Sequence, residues 1–260
     1  MGTEETEDTE DNKELIHSRI NLLKVPIDII PEDGLEERIY ELVKTGAGQN
    51  IVLLSLWDLL RARRNTEYRS LVLDAAMVIP ISKSLIGGSR FLTQKTPFRY
   101  MPFNFVIQLL TILEKREYTV YLLGGKKSVL LKTEKNIRQT FPRLHIVGRF
   151  IGKFHPKEEA TILEAIRKAA PSLLLIGKGV RGREKWLARN SANLSPGLRL
   201  WCSDLFDVFA ERRKRPSAVV FKRGWEWVGF CFRNPLRIFK IFPYFYYKFL
   251  LLIYRLFVKL

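Results

Sequence analysis

The chain reads as an α/β protein with a Rossmann-like, mostly parallel sheet covered by helices on both faces and a C-terminal helical appendage. Three observations predict this. From about residue 50 onward, short apolar runs alternate with longer stretches of helical periodicity. Two of the runs lead into glycine-rich turns that open charged helices. The last fifty residues then change composition altogether. A chain of 260 residues is long enough for one large core plus an extension.

Taken in order, residues 1–18 predict a disordered acidic leader, since seven acids face one lysine in the first fourteen positions with no apolar run. This start has neither the basic nor the apolar region of a secretory signal, so the protein is expected to stay on the cytoplasmic side. Apolar runs at 51–56, 76–81, 118–123, 144–151, 173–176 and 198–202 predict strands. Helical spacing at 58–74, 104–117, 128–141, 157–170 and 182–194 predicts the crossovers between them. Strand and helix in alternation imply parallel pairing, with both faces of the sheet buried. This domain is expected to span 19–210.

Ligands of such sheets sit outside the carboxyl ends of the strands. Four exits are therefore candidate site segments: 55–58, 80–84, 124–126 and 177–184. In the last, Gly177 and Gly179 loosen the backbone between a buried strand and the helix beginning Glu184-Lys185-Trp186. Backbone N–H groups and a helix start at such a turn suit a phosphate. Gly124-Gly125-Lys126-Lys127 is a second turn of this type, with two cations beside it. Both read equally well as tight strand-to-helix connections. No GxxxxGK[ST] occurs, which excludes a P-loop.

Cys202 and Cys231 lie far apart, and His17, His145 and His155 are isolated. No disulfide framework, metal site or cofactor is expected from them.

Residues 211–260 form the appendage, with twelve cations against two acids. Between Phe221 and Phe257 stand fourteen aromatics interleaved with Lys and Arg. Uncharged runs such as 249–254 are far too short for a bilayer span, which takes about 20 residues. Arg233, Arg237 and Lys240 share one helical face, as do Lys248, Arg255 and Lys259, with Pro243 separating two helices. A basic stripe backed by aromatics predicts helices lying on an anionic membrane surface. Nucleic acid is not an expected partner, because no RNP, KH or helix-turn-helix pattern accompanies the charge.

Several short motifs now fall in a consistent order: Leu122-Leu123-Gly124-Gly125; Arg-Leu-His-Ile-Val-Gly ending at Gly148; Gly177 and Gly179 before Glu184-Lys185-Trp186; Phe206-Asp207; the basic run 212–215; Gly224 with Glu226-Trp227; and Asn234-Pro235 with Arg237. In these the chain resembles the WecG/TagA/CpsF family of bacterial glycosyltransferases over roughly residues 20–240. The resemblance implies a Rossmann-like domain and a membrane-docking appendage. It also implies metal-independent transfer of an N-acetylmannosamine-type hexosyl group from a UDP-sugar to a lipid-linked acceptor. That places the protein peripherally on the cytoplasmic face of the inner membrane, in cell-surface polysaccharide synthesis, with self-association left open.

The departures concern chemistry. Where the family has Pro-Asp-Gly, carrying its base, this chain has Pro80-Ile81-Ser82. The family's Thr-x-Asn is Leu53-Leu54-Ser55, its loop aspartate is Asn104, and its Gly-Gly before Phe-Asp is Ser203-Asp204. In the glycine turn, the family's proline and glutamine are Arg181 and Arg183. The expected catalytic set is accordingly Asp58 as substitute base, Ser82 and Arg183. The expected donor-binding set is Gly124, Gly125, Lys126, Gly177, Gly179, Arg181 and Glu184. Trp186 and Asp207 are expected to lock the elements behind them. Arg212, Arg213, Arg215, Arg233, Arg237, Lys240, Lys248 and Arg255 are assigned to membrane or acceptor phosphate. The alternative reading is a catalytically inactive scaffold that keeps the fold at the membrane.

Overall fold

The computed structural model describes residues 18–215, 217–224 and 242–257. The acidic leader, His17, Cys231, Arg233, Arg237, Lys240 and Lys259 lie outside the described residues.

Six strands form one parallel sheet: β3 (Asn50–Leu54), β4 (Met77–Pro80), β5 (Thr119–Leu123), β6 (His145–Phe150), β7 (Leu173–Gly177) and β8 (Leu198–Ser203), in the order β4-β3-β8-β7-β5-β6. Each expected strand is present to within two residues at either end. Alternate side chains leave opposite faces of the sheet. Ile51, Met77, Ile79, Leu122 and Leu175 face α1 (Leu35–Thr45), α5 (Pro102–Glu114), α6 (Lys127–Thr140) and α9 (Leu205–Phe209). Val52, Leu54, Val78, Leu123, Leu174 and Ile176 face α2 (Leu56–Ala62), α3 (Thr66–Leu73), α7 (Glu159–Ala169) and α8 (Glu184–Asn190). Two complete layers make the strands apolar on both sides.

The structure departs from expectation at several elements. The helix expected over 58–74 is two helices, because Asn65 accepts from the Tyr68 N–H and caps a new helix at Thr66. The helix expected over 182–194 begins only at Glu184 and ends in a 3₁₀ turn at Ser191–Asn193. Neither α1 nor α4 (Lys83–Thr93) was expected, nor was a hairpin of β1 (Ser18–Leu22) and β2 (Val25–Ile29). The hairpin turns through Leu23 and Lys24, both at positive φ (53° and 66°). Its Asp28, paired to Arg19 at 2.6 Å, accepts the Val78 N–H and so blocks the β4 edge.

The appendage contributes α10 (Ala218–Arg223) and α11 (Phe242–Phe257). Pro243 sits in the first turn of α11, where its missing N–H is tolerated. Tyr247 of α11 is buried, and its hydroxyl donates to the Ser84 carbonyl at 3.0 Å, seated over Gly88 of α4. Opposite that buried face, Phe242, Phe245, Phe249, Leu252 and Leu256 are exposed at three- and four-residue spacing. Lys248 stands 5.0 Å over Tyr244 and Arg255 4.4 Å over Phe91, along one border between the two faces. The helix therefore has a buried apolar face and an exposed one, rather than a cationic stripe with all its apolar residues opposite.

Candidate active site

β7 and β8 pair over five positions, but β3 and β8 pair only at Asn50–Arg199 and Ile51–Leu200. Beyond these the strands diverge, and a cleft of about 350 Å³ opens between their carboxyl ends. The chain leaves β3 toward β4 and later fills the sheet on the other side, so the cleft lies at a topological switch point. One wall is Val52, Leu53, Ser55 and Asp58; the facing wall is Trp201, Cys202, Ser203 and Asp204. Arg183 and Glu184 close one end, with Ile81 and Pro102 also in the lining.

Ser55 begins α2. Its Oγ accepts the Asp58 N–H at 3.3 Å, and Asp58 Oδ2 accepts the Ser55 N–H at 3.1 Å, a reciprocal cap. The Ser55 hydroxyl also donates to Asp58 Oδ2 at 2.5 Å. Burial raises the pKa of the Asp58 carboxyl above the ordinary aspartate value, opposed by its bonds from Ser55 and the charge of Arg61. Arg61, one turn further on, lies 3.3 Å from both Asp58 Oδ1 and Glu184 Oε2. Its guanidinium stacks 3.6 Å over the ring of Tyr68.

Arg183 holds φ 56° and ψ −134° at the start of α8, and its guanidinium has no ion-pair partner among the described residues. Ser203, ending β8, also has positive φ (47°) while its carbonyl accepts the Lys178 N–H. Trp201 leaves a buried indole N–H without a partner in the same cleft.

Of the residues singled out from the sequence, the cleft gathers Asp58, Arg183 and Glu184, together with Ile81, where the resemblance puts the family's base. Ser82 is a neighbour: its Oγ accepts the Leu56 N–H at 3.2 Å, joining the starts of α4 and α2. Gly124, Gly125, Lys126, Gly177, Gly179 and Arg181 are not in the lining. The N–H of Gly124 donates to the Phe150 carbonyl and that of Gly125 to the Lys178 carbonyl, so neither is open to a phosphate. A Cβ on Gly124 would stand 2.7 Å from Gly177 N, and one on Gly177 would stand 2.6 Å from the Phe206 ring. These glycines let three strand ends pack together.

In the basic run, Arg212 donates to Ser128 Oγ at 2.9 Å, Arg213 pairs with Asp204 at 2.9 Å and Arg215 stacks 4.2 Å over Phe103. All three bind the chain itself. Asp207 pairs with Lys178, and the Trp186 indole donates to Glu159, so both fasten neighbouring elements. Sequence reasoning missed Arg61, Tyr68 and Trp201 as site residues, and reached Ser203 only as a departure from the family pattern. Arg61 could have been found three positions past Asp58 on one helix face. Trp201 and Ser203 belong to the exit of the last strand, which was not among the four exits singled out.

A family model described as "Glycosyl transferase WecG/TagA/CpsF family" matches residues 20–260. The chain is 22% identical to the N-acetylglucosaminyldiphosphoundecaprenol N-acetyl-beta-D-mannosaminyltransferase of Bacillus subtilis, over 68% of each chain. It is 20% identical to the enzyme of that name from Bacillus spizizenii, again over 68% of each. With the Staphylococcus aureus enzyme the identity is 21%, over 72% of this chain and 74% of the relative. The switch-point cleft, the order of the motifs and a match over nearly the whole chain agree: the protein belongs to the WecG/TagA/CpsF family of glycosyl transferases.

Proposed function

We propose that the protein transfers an N-acetylmannosamine-type hexosyl group from a UDP-sugar to a lipid-linked acceptor, at the cytoplasmic face of the membrane, in cell-surface polysaccharide synthesis. The relatives' names supply the substrate class. The observation that carries the reading for this chain is the presence, in one cleft, of a half-buried carboxylate of raised pKa and the Arg183 guanidinium, which has no ion-pair partner among the described residues. Asp58 replaces the missing base at Ile81 as the carboxylate that is protonated when the acceptor hydroxyl attacks. Arg183 meets the diphosphate, whose charge grows as the bond to the anomeric carbon breaks. The products are the glycosylated acceptor and the nucleoside diphosphate, with no metal in the scheme.

Membrane docking falls to α11. No helix among the described residues is long and apolar enough to cross a membrane. Its exposed apolar row, bordered by Lys248 and Arg255, suits a helix lying in an anionic interface.

The test is transfer from UDP-N-acetylmannosamine and UDP-N-acetylglucosamine to lipid-linked acceptors in liposomes. We expect turnover by the natural chain and a loss of about 10²- to 10³-fold in Arg183→Ala, as for removal of a group that stabilises developing charge. A second reading, an inactive scaffold, is favoured by Ile81, which lines the cleft and cannot take a proton. It predicts no transfer and no UDP binding by the natural chain.

A further inference from the structure

We infer that Ser55 is a catalytic residue, whose hydroxyl takes the acceptor's proton while passing its own to Asp58, so that the two act as a proton relay. The inference rests on the glycosyl-transfer reading above.

The hydrogen-bond inventory of the pair leads to it. Asp58 Oδ2 already accepts two bonds from Ser55, the N–H at 3.1 Å and the hydroxyl at 2.5 Å. Asp58 Oδ1 is turned to the Arg61 guanidinium at 3.3 Å. Oδ2 is thus taken up by Ser55, while Oδ1 is held in the ion pair with Arg61. Ser55 Oγ uses its proton on Oδ2 and one lone pair on the Asp58 N–H. A hydroxyl has a second lone pair, which remains for a substrate proton.

A helix cap alone does not demand this arrangement. A capping box needs the serine oxygen to accept the N–H three residues on, and the carboxylate to accept the serine N–H. The bond from the serine hydroxyl to Oδ2 is additional, and a charge-assisted bond of that kind draws the proton toward the carboxylate. The residue stands at the carboxyl end of β3, where the strand parts from β8 and lines the cleft.

The balance is as follows. The acceptor oxygen bonds to the anomeric carbon and the bond from that carbon to the diphosphate oxygen breaks, leaving a nucleoside diphosphate. The acceptor's proton moves to Ser55 Oγ, and the Ser55 proton moves to Asp58 Oδ2. Asp58 later returns its proton to water. Burial, which raises the proton affinity of Asp58, makes it a competent terminus. Charged and titratable groups face it from every packed element: Arg61 on α2, Tyr68 on α3, Glu184 on α8, and Arg183 and Asp204 at the cleft rim.

The experiment uses the full chain with UDP-N-acetylmannosamine and a lipid-linked N-acetylglucosamine acceptor in liposomes. It measures kcat against pH, the rate in mixtures of light and heavy water, and UDP affinity by calorimetry. Ser55→Gly removes the hydroxyl but keeps a residue that caps helices nearly as well, so folding is preserved. The expected result is a loss of about 10²-fold or more in kcat for Ser55→Gly, with UDP affinity within about twofold, and recovery of most activity in Ser55→Thr. In the natural chain the rate should rise with pH through an inflection above the ordinary aspartate value. It should also depend on the deuterium fraction with the curvature of two protons in flight. Asp58→Asn should abolish the inflection. Transfer by Ser55→Gly within about threefold of the natural chain, or a linear deuterium dependence in the natural chain, overturns the relay alone. No transfer by the natural chain overturns the relay together with the reading beneath it.

Discussion

Arg183 and Ser203 hold positive φ at the cleft without the freedom of glycine, at 56° and 47°. Such sparsely populated backbone costs a residue with a side chain roughly 1–3 kcal/mol. At Ser203 a glycine would hold the same φ without strain. Ser203→Gly should therefore stabilise the protein by about 0.5–1 kcal/mol, after the extra freedom glycine gives the unfolded chain. Thermal unfolding should rise by about 1–3 °C; an unchanged or lower midpoint would mean that the Ser203 side chain stabilises its own turn. Gly124→Ala should do the reverse, with a loss of about 2–4 kcal/mol, because its φ is 133° and its Cβ would meet the Gly177 backbone at 2.7 Å. The sequence makes Asp58, Arg183 and Glu184 legible because they follow predicted strand ends. It hides the Arg61–Glu184 pair, whose partners are 123 positions apart and meet only through the sheet order. It leaves the glycine turns open between phosphate sites and tight connections, because their close packing on Gly177 and Phe206 is something no local spacing reveals.

At the scale of elements, the strands were readable because burial on both faces leaves uninterrupted apolar runs. The β1–β2 hairpin was not, since Leu23-Lys24 lacks the Asn-Gly signature of a two-residue turn and is held by tertiary packing, with Leu23 buried. Nor was the break at Asn65, where a polar cap interrupts a continuous amphipathic pattern. Helix α4 contains Gly87-Gly88, which argues against a helix on propensity. The structure supplies the reason for Gly88: a Cβ there would lie 1.9 Å from Tyr247 Oη. Gly88→Ala should thus make α4 intrinsically more helical, by about 1 kcal/mol, while expelling Tyr247 and loosening α11. Hydrogen exchange would show protection lost across 242–257 but retained in β3, β5 and β7. Equal protection of α11 in the variant would refute the seating of Tyr247 on Gly88.

For the whole molecule, the charge of +17 is placed mostly at one end of the chain, and the structure adds what composition cannot: which tail residues are free to meet a surface. Arg212, Arg213 and Arg215 are engaged within the chain, whereas α11 presents Phe242, Phe245, Phe249, Leu252 and Leu256 outward. Attachment should then have two components that respond to different perturbations. The electrostatic part, about 1 kcal/mol per cation near an anionic surface, weakens as salt shortens the screening length. The apolar part scales with area, roughly 1.5–3 kcal/mol for each large side chain removed from water. Replacing Phe245, Phe249 and Leu252 together by Ser should lower partitioning onto anionic vesicles by about 10²-fold or more at any ionic strength. UDP affinity should stay unchanged, because none of the three lines the cleft. Raising salt should weaken both proteins in parallel, leaving the apolar difference between them constant. Vesicle sedimentation checks this directly: a triple variant that binds like the natural chain would show that α11 turns its outward row to something other than lipid.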